Sequence, residues 1–128
     1  MTRRPIERVL LAVIGLCFAI GCIAHALDFW SFGWAPYNFG PPVLNAFWNS
    51  LVALDAAVIV LLLLGWRRSA LGLGLAIMLC DVAANSYAWS GLGLREFAPA
   101  LVAQSGFLGL LLGSLGFLWP PRVARPPR

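Results

Sequence analysis

Apolar residues along this chain gather into four long runs, at residues 8–27, 43–65, 70–89 and 98–119. Each is close to the ~20 residues with which an α-helix, rising ~1.5 Å per residue, crosses ~30 Å of hydrocarbon. The pattern predicts an all-α membrane protein: a four-transmembrane-helix antiparallel bundle, built as one integral-membrane domain over residues 1–128. Only about four residues separate the second run from the third, which makes those two helices neighbours in a hairpin. The first run follows Arg3, Arg4 and Arg8, as a signal peptide would. It outruns the roughly 7–15-residue apolar core of a signal, however, and ends in His25 and Asp28 rather than a small-residue cleavage site, so it is read as a permanent helix. The Pro/Arg-rich residues 120–128 are expected to form a disordered tail.

Composition agrees with this threading. Hydrophobic residues make up 61% of the 128 and charged residues 11%, too few charges to coat a soluble surface of this size. All nine basic residues are arginines. Arg3, Arg4 and Arg8, then Arg67 and Arg68, then Arg122, Arg125 and Arg128 fall on one side of the threaded bundle, against Arg95 alone on the other. The positive-inside rule then puts both termini and the 66–69 turn in the cytoplasm of a bacterial-type inner membrane, with the 28–42 and 90–97 loops outside. The net charge of +4 is thus spent on orientation, and no nucleic-acid partner is expected. Trp30, Trp34, Trp66, Trp89 and Trp119 mark span ends, where amphipathic rings settle. Loop 28–42, rich in aromatics, Gly and Pro, is expected to cap the bundle. Cys17, Cys22 and Cys80 lack CxxC spacing and read as buried free thiols.

Candidate chemistry lies in the polar residues inside the runs, because a carboxyl group in hydrocarbon costs a few kcal/mol and needs a partner, a cavity or a function. Asp55 and Asp81 lie near mid-span on the two hairpin helices, at similar expected depth. Two such acids in a low dielectric are expected to share a proton, which suits acid–base chemistry on an apolar substrate; the alternative is that each only fixes helix register through a hydrogen bond. Asn45, Trp48, Asn49 and Asp55 fall within an arc of about 120°. Asp81 and Asn85 are one turn apart, with Tyr87 to the side; His25, one turn from Asp28, and Gln104 come from the outer helices. The expected catalytic set is therefore Asp55, Asp81 and His25, and the expected ligand-binding set Asn45, Trp48, Asn49, Asn85, Tyr87 and Gln104. These groups form a polar cup in the outer half of the bilayer over a dry cytoplasmic half, an arrangement that disfavours a channel.

No metal or other cofactor is expected. Cys22, His25 and Asp28 rotate around their helix without converging, and one histidine cannot ligate a haem from both sides within one chain, which leaves a single axial ligand or a haem shared by two copies as the open alternatives. Gly106, Gly109, Gly113 and Gly116 share one face of the last run and are expected to pack a helix, either of the same chain or of a second copy.

The segment Phe47-Trp48-Asn49-Ser50-Leu51 followed by Asp55 resembles the second-helix pattern of the emopamil-binding and sigma-2 type sterol isomerase family. His25, the Leu44-Asn45 pair and Asp81-x-x-x-Asn85 are similar to the layout of styrene oxide isomerase, a family whose haem is held by a histidine in the first loop; residues 28–42 contain none. No residue roles are carried over from either. The leading expectation is a pocket that binds a small hydrophobic or lipid-like molecule, and isomerises it by proton transfer. The competing expectations are a non-catalytic subunit or assembly factor of a larger membrane complex, and a dimeric proton-coupled transporter. The partners implied are the lipid bilayer, a hydrophobic ligand, and a second copy or a membrane complex.

Overall fold

A computed structural model describes residues 3–119; the expected tail over 120–128 and its three arginines lie outside the described residues. Four helices follow one another: α1 (Arg3–Phe32), α2 (Pro42–Leu63), α3 (Arg67–Ser90) and α4 (Ala98–Leu118), with a single 3-10 turn, Arg95–Phe97, leading into α4. All four are long and apolar enough to span a membrane. The shortest, α4, has 21 residues, about 31 Å at the standard rise.

Helix boundaries follow local backbone chemistry more closely than hydropathy. The first run was expected to end at residue 27, yet α1 continues to Phe32. His25 and Asp28 are polar but do not break a helix; the first residue that does is Gly33, at φ +86°, whose N–H closes on the Phe29 carbonyl. At the other end of the bundle α2 stops in a Schellman motif. Gly65 adopts φ +75°, its N–H bonds the Leu62 carbonyl, and the Trp66 N–H reaches Leu61, so the last carbonyls are satisfied while the chain reverses. Only Leu64, Gly65 and Trp66 separate α2 from α3. Pro42, in the first turn of α2, needs no hydrogen-bond partner there.

The buried core contains Ile14 and Phe18 of α1, Trp48, Leu51 and Val58 of α2, Leu71, Ile77 and Met78 of α3, and Leu111 and Leu118 of α4. Outward-facing Val9, Leu16, Ile20, Ile23 and Leu27 form the opposite stripe of α1, the surface that hydrocarbon would cover. The end of the bundle at the α2–α3 turn is apolar inside. Ser114, the buried polar residue there, donates to the Leu110 carbonyl of its own helix. Arg67 and Glu7 pair at 3.3 Å across that end.

Tryptophans divide as their positions predict. Trp30, Trp34, Trp66, Trp89 and Trp119 are exposed, Trp34 to 94%, whereas Trp48 is 2% exposed. Arg95 stacks over the Trp89 ring at 5.2 Å, a cation–π contact at a helix end.

The glycines of α4 give a different outcome from the packing within the chain that was one of the two expectations. A Cβ added at Gly106, Gly109, Gly113 or Gly116 would meet nothing within 4 Å. The close approach inside the bundle is made elsewhere. Gly74 of α3 lies against the Phe18 ring and Val58, and Gly21 of α1 against the Asp55 carboxylate, where a Cβ would come within 2.8 Å of Oδ2.

Candidate functional site

A cavity of about 240 Å³ lies between the four helices. Cys17, Phe18, Ile20, Gly21 and His25 of α1, Asp55 of α2, Met78 and Asp81 of α3, and Ala103, Gln104 and Phe107 of α4 line it. Its walls are mainly apolar, and each of the four helices contributes one polar side chain: His25, Asp55, Asp81 and Gln104. Two lining residues, Ile20 and Ala103, also face outward, so the cavity reaches the outer surface of the bundle between α1 and α4. Toward the α2–α3 turn the buried side chains of Ile14, Val58, Leu71 and Leu111 fill the interior.

Asp81 anchors a continuous hydrogen-bonded chain. Trp48 Nε1 donates to Asn85 Oδ1 at 2.9 Å, Asn85 Nδ2 donates to Gln104 Oε1 at 2.6 Å, and Gln104 Nε2 donates to Asp81 Oδ2 at 2.7 Å. Three helices contribute to it, and each donor and acceptor is used in one direction. The other carboxylate oxygen, Asp81 Oδ1, is buried without a hydrogen-bond partner, an unpaired state that is costly in a medium without water.

Asp55 belongs to a second chain with a gap in it. Its Oδ2 lies 4.0 Å from His25 Nε2, beyond hydrogen-bond reach. On the far side of the ring, His25 Nδ1 is 2.9 Å from the Tyr37 hydroxyl, and that hydroxyl donates to Asp28 Oδ2. Burial, and then the hydrogen bond to the Asp28 carboxylate and its charge, push the Tyr37 hydroxyl well above its usual range. It therefore stays protonated, and a donor, at any physiological pH.

Tyr37 reaches this position because the 33–41 loop is clasped to α2. Asn49 Oδ1 accepts the Tyr37 N–H at 3.2 Å while Asn49 Nδ2 donates to the Tyr37 carbonyl at 2.7 Å. Asn45 treats Gly40 in the same way, at 2.9 and 2.8 Å. Each carboxamide thus substitutes for a peptide group and satisfies one loop residue completely. Above the clasps Tyr37, Phe39, Trp48 and Phe97 pack edge-on and tilted at centroid distances of 5.4 to 6.3 Å. The loop caps this end of the bundle.

The expected site residues therefore separate into four groups. Asp55, Asp81, His25 and Gln104 line the cavity. Asn85 stands one hydrogen bond behind it and Trp48 two, and Asn45 and Asn49 hold the loop instead of facing the cavity. Tyr87 is 49% exposed and borders an apolar groove on the α2–α3 face with Leu44, Phe47 and Cys80. The two acids are not level. Val58 lies beside Gly74 and Trp48 beside Asn85, so the point of α3 opposite Asp55 falls near Ile77, and Asp81 is about one turn, ~5 Å, beyond it. The sequence reading left out Tyr37, Phe18 and Phe107 as site residues. Tyr37 carried a signal, as the single phenol among the Phe and Trp residues of a Pro/Gly loop. Phe18 and Phe107, an edge-to-face pair with centroids 5.2 Å apart, carried none beyond their hydrophobicity.

Among the described residues, no three His, Cys, Asp or Glu side chains are grouped to hold a metal ion. Cys22 Sγ is taken up by the Val52 carbonyl at 3.5 Å. No family model, curated protein or solved structure matches this chain.

Proposed function

We propose that this protein binds a small hydrophobic molecule bearing one polar group, in the cavity between its four helices, and acts on it by proton transfer. One observation carries the reading: in a chain otherwise saturated with apolar residues, every helix places one polar side chain on the same cavity, and three of the four can gain or lose a proton. Catalysis would use His25 and Asp55, which face each other across an unclosed gap, with Asp81 as the further acid. Size supports a small ligand. A cavity of about 150 Å³ in a soluble protein takes benzene, so about 240 Å³ holds a single substituted ring or a branched chain. The opening between α1 and α4 admits it from the bilayer. In the proposed setting the helices run up and down through a bacterial inner membrane, with both termini and the α2–α3 turn cytoplasmic, on the arginine distribution.

The test uses toluene, benzyl alcohol and benzylamine as probes of the full chain in detergent micelles. The two probes with a polar group should raise the melting temperature more than toluene does. Ala103→Phe, at an outward-facing lining position, should remove those shifts while leaving the unliganded protein as stable as before. Equal response to all three probes, or shifts that persist in Ala103→Phe, would overturn the reading.

A second reading has its own observation in favour. The open glycine face of α4 suits close contact with another membrane helix, as in a subunit of a larger complex. Gly109→Leu separates the two readings: it should abolish co-purification of a partner without touching the cavity.

A further inference from the structure

The side chains around His25 determine more than its position. Tyr37 has one hydroxyl proton, and its geometry gives that proton to Asp28 Oδ2. A phenol whose proton is already committed can only accept from His25, 2.9 Å away, so Nδ1 must be the nitrogen that carries hydrogen. The reverse arrangement, with Tyr37 donating to Nδ1, would require Asp28 to be a neutral acid and would give up a charge-assisted bond to its carboxylate. Asp28 sits half-buried toward the loop-bearing end of α1, while the Asn49 clasp on the Tyr37 backbone holds the ring over it.

We propose that Asp28 and Tyr37 are positioning residues that lock His25 in its Nδ1–H form, so that the unprotonated Nε2 beside Asp55 is the proton-accepting atom of the cavity. On the far side of the ring, Nε2 lies 4.0 Å from Asp55 Oδ2 and on the cavity wall. The distance leaves its lone pair unclaimed by Asp55. Nε2 accepts a hydrogen bond from a bound O–H or N–H group; where the bound group is an ammonium and Nε2 takes its proton, the new N–H bond forms on Nε2, the electron pair of the broken bond stays on the now neutral amine, and the imidazolium lies between two carboxyl groups. Asp55 stands directly beside it, and Asp28 acts through the Tyr37 hydroxyl. The ligand class narrows accordingly to hydrophobic alcohols and amines, whose donor hydrogen meets an acceptor. This use of Nε2 rests on the cavity reading above; the tautomer itself does not.

Because His25 is the only histidine in the chain, ¹⁵N-histidine labelling of the full protein in lipid nanodiscs gives one imidazole to observe. At the alkaline end of its titration, where the ring is neutral, the proton-coupled nitrogen should be Nδ1 and the pyridine-like one Nε2. Tyr37→Phe removes the acceptor, and Asp28→Ala frees the Tyr37 hydroxyl to donate to Nδ1; in both the proton should move to Nε2. A neutral ring protonated at Nε2 in the unmodified protein would overturn the proposal, as would Nδ1–H persisting in both variants. The unmodified protein and Asp28→Ala suffice if Tyr37→Phe fails to fold. No ligand is present in this measurement, so a negative result in the probe titrations leaves its outcome independent.

Discussion

The two carboxyl groups of the cavity face opposite conditions. Asp81 closes a run of three hydrogen bonds through Gln104 and Asn85 to Trp48, each between 2.6 and 2.9 Å, and none of those partners titrates. Asp55 has no hydrogen bond among the described residues and faces a histidine across 4.0 Å, and that histidine leads through a phenol to another acid. The first network is continuous, with Asp81 Oδ1 alone left unpaired, and its members specify one packing of α2, α3 and α4. The second has an open contact where a bound molecule can enter. Under the proposed function, one bundle uses Asp81 chiefly to fix the packing of its helices, with one oxygen still open to the cavity, and Asp55 chiefly for chemistry.

If this contrast holds, substitutions on the two sides should differ in kind. The largest loss of stability is expected for Asn85→Leu, which strands the Trp48 N–H and the Gln104 carbonyl in the core. At ~1–3 kcal/mol for each unsatisfied group, unfolding in micelles should become easier by about 2–6 kcal/mol. Next comes Asn49→Ala, which releases both polar groups of Tyr37 from a half-buried clasp. About 1–2 kcal/mol should go, from two net hydrogen bonds, and limited proteolysis should cut within 33–41 first. Asp55→Asn loses no hydrogen bond, so its cost should stay below about 1 kcal/mol, the worth of one such bond. Response to benzylamine should vanish in the same variant. If Asp55→Asn proves as destabilising as Asn85→Leu, the two networks are alike and the assignment of chemistry to one side fails. Smallest of all, Gly109→Leu should change unfolding by no more than about 0.5 kcal/mol, since its side chain enters open space.

Much of this was legible from spacing. Run length and composition predicted four membrane helices, and an intramembrane acid on each hairpin helix pointed to a shared polar space. Other features depended on information that periodicity lacks. Asn45 and Asn49 share a face with Asp55, but the helical angle alone cannot say whether that face meets a cavity or a folded-back loop; the loop decides it. Tyr87 is the reverse case. At 100° per residue it stands about 120° from Asp81 around α3, and it faces outward instead of joining the ligand-binding set in which it was expected. The offset of about one turn between the acids, which were expected at similar depth, is set by which residues actually meet across α2 and α3, with Val58 at Gly74, and not by counting from estimated span ends.

Trp48 carries a consequence for spectroscopy. Its indole N–H is spent on Asn85 and its ring is sealed under Phe39 and Phe97, while the other five tryptophans lie at the periphery. In deuterated buffer five indole protons should be lost quickly and one retained. That single surviving resonance gives a direct clock for how often the cap lifts away from the helices beneath it.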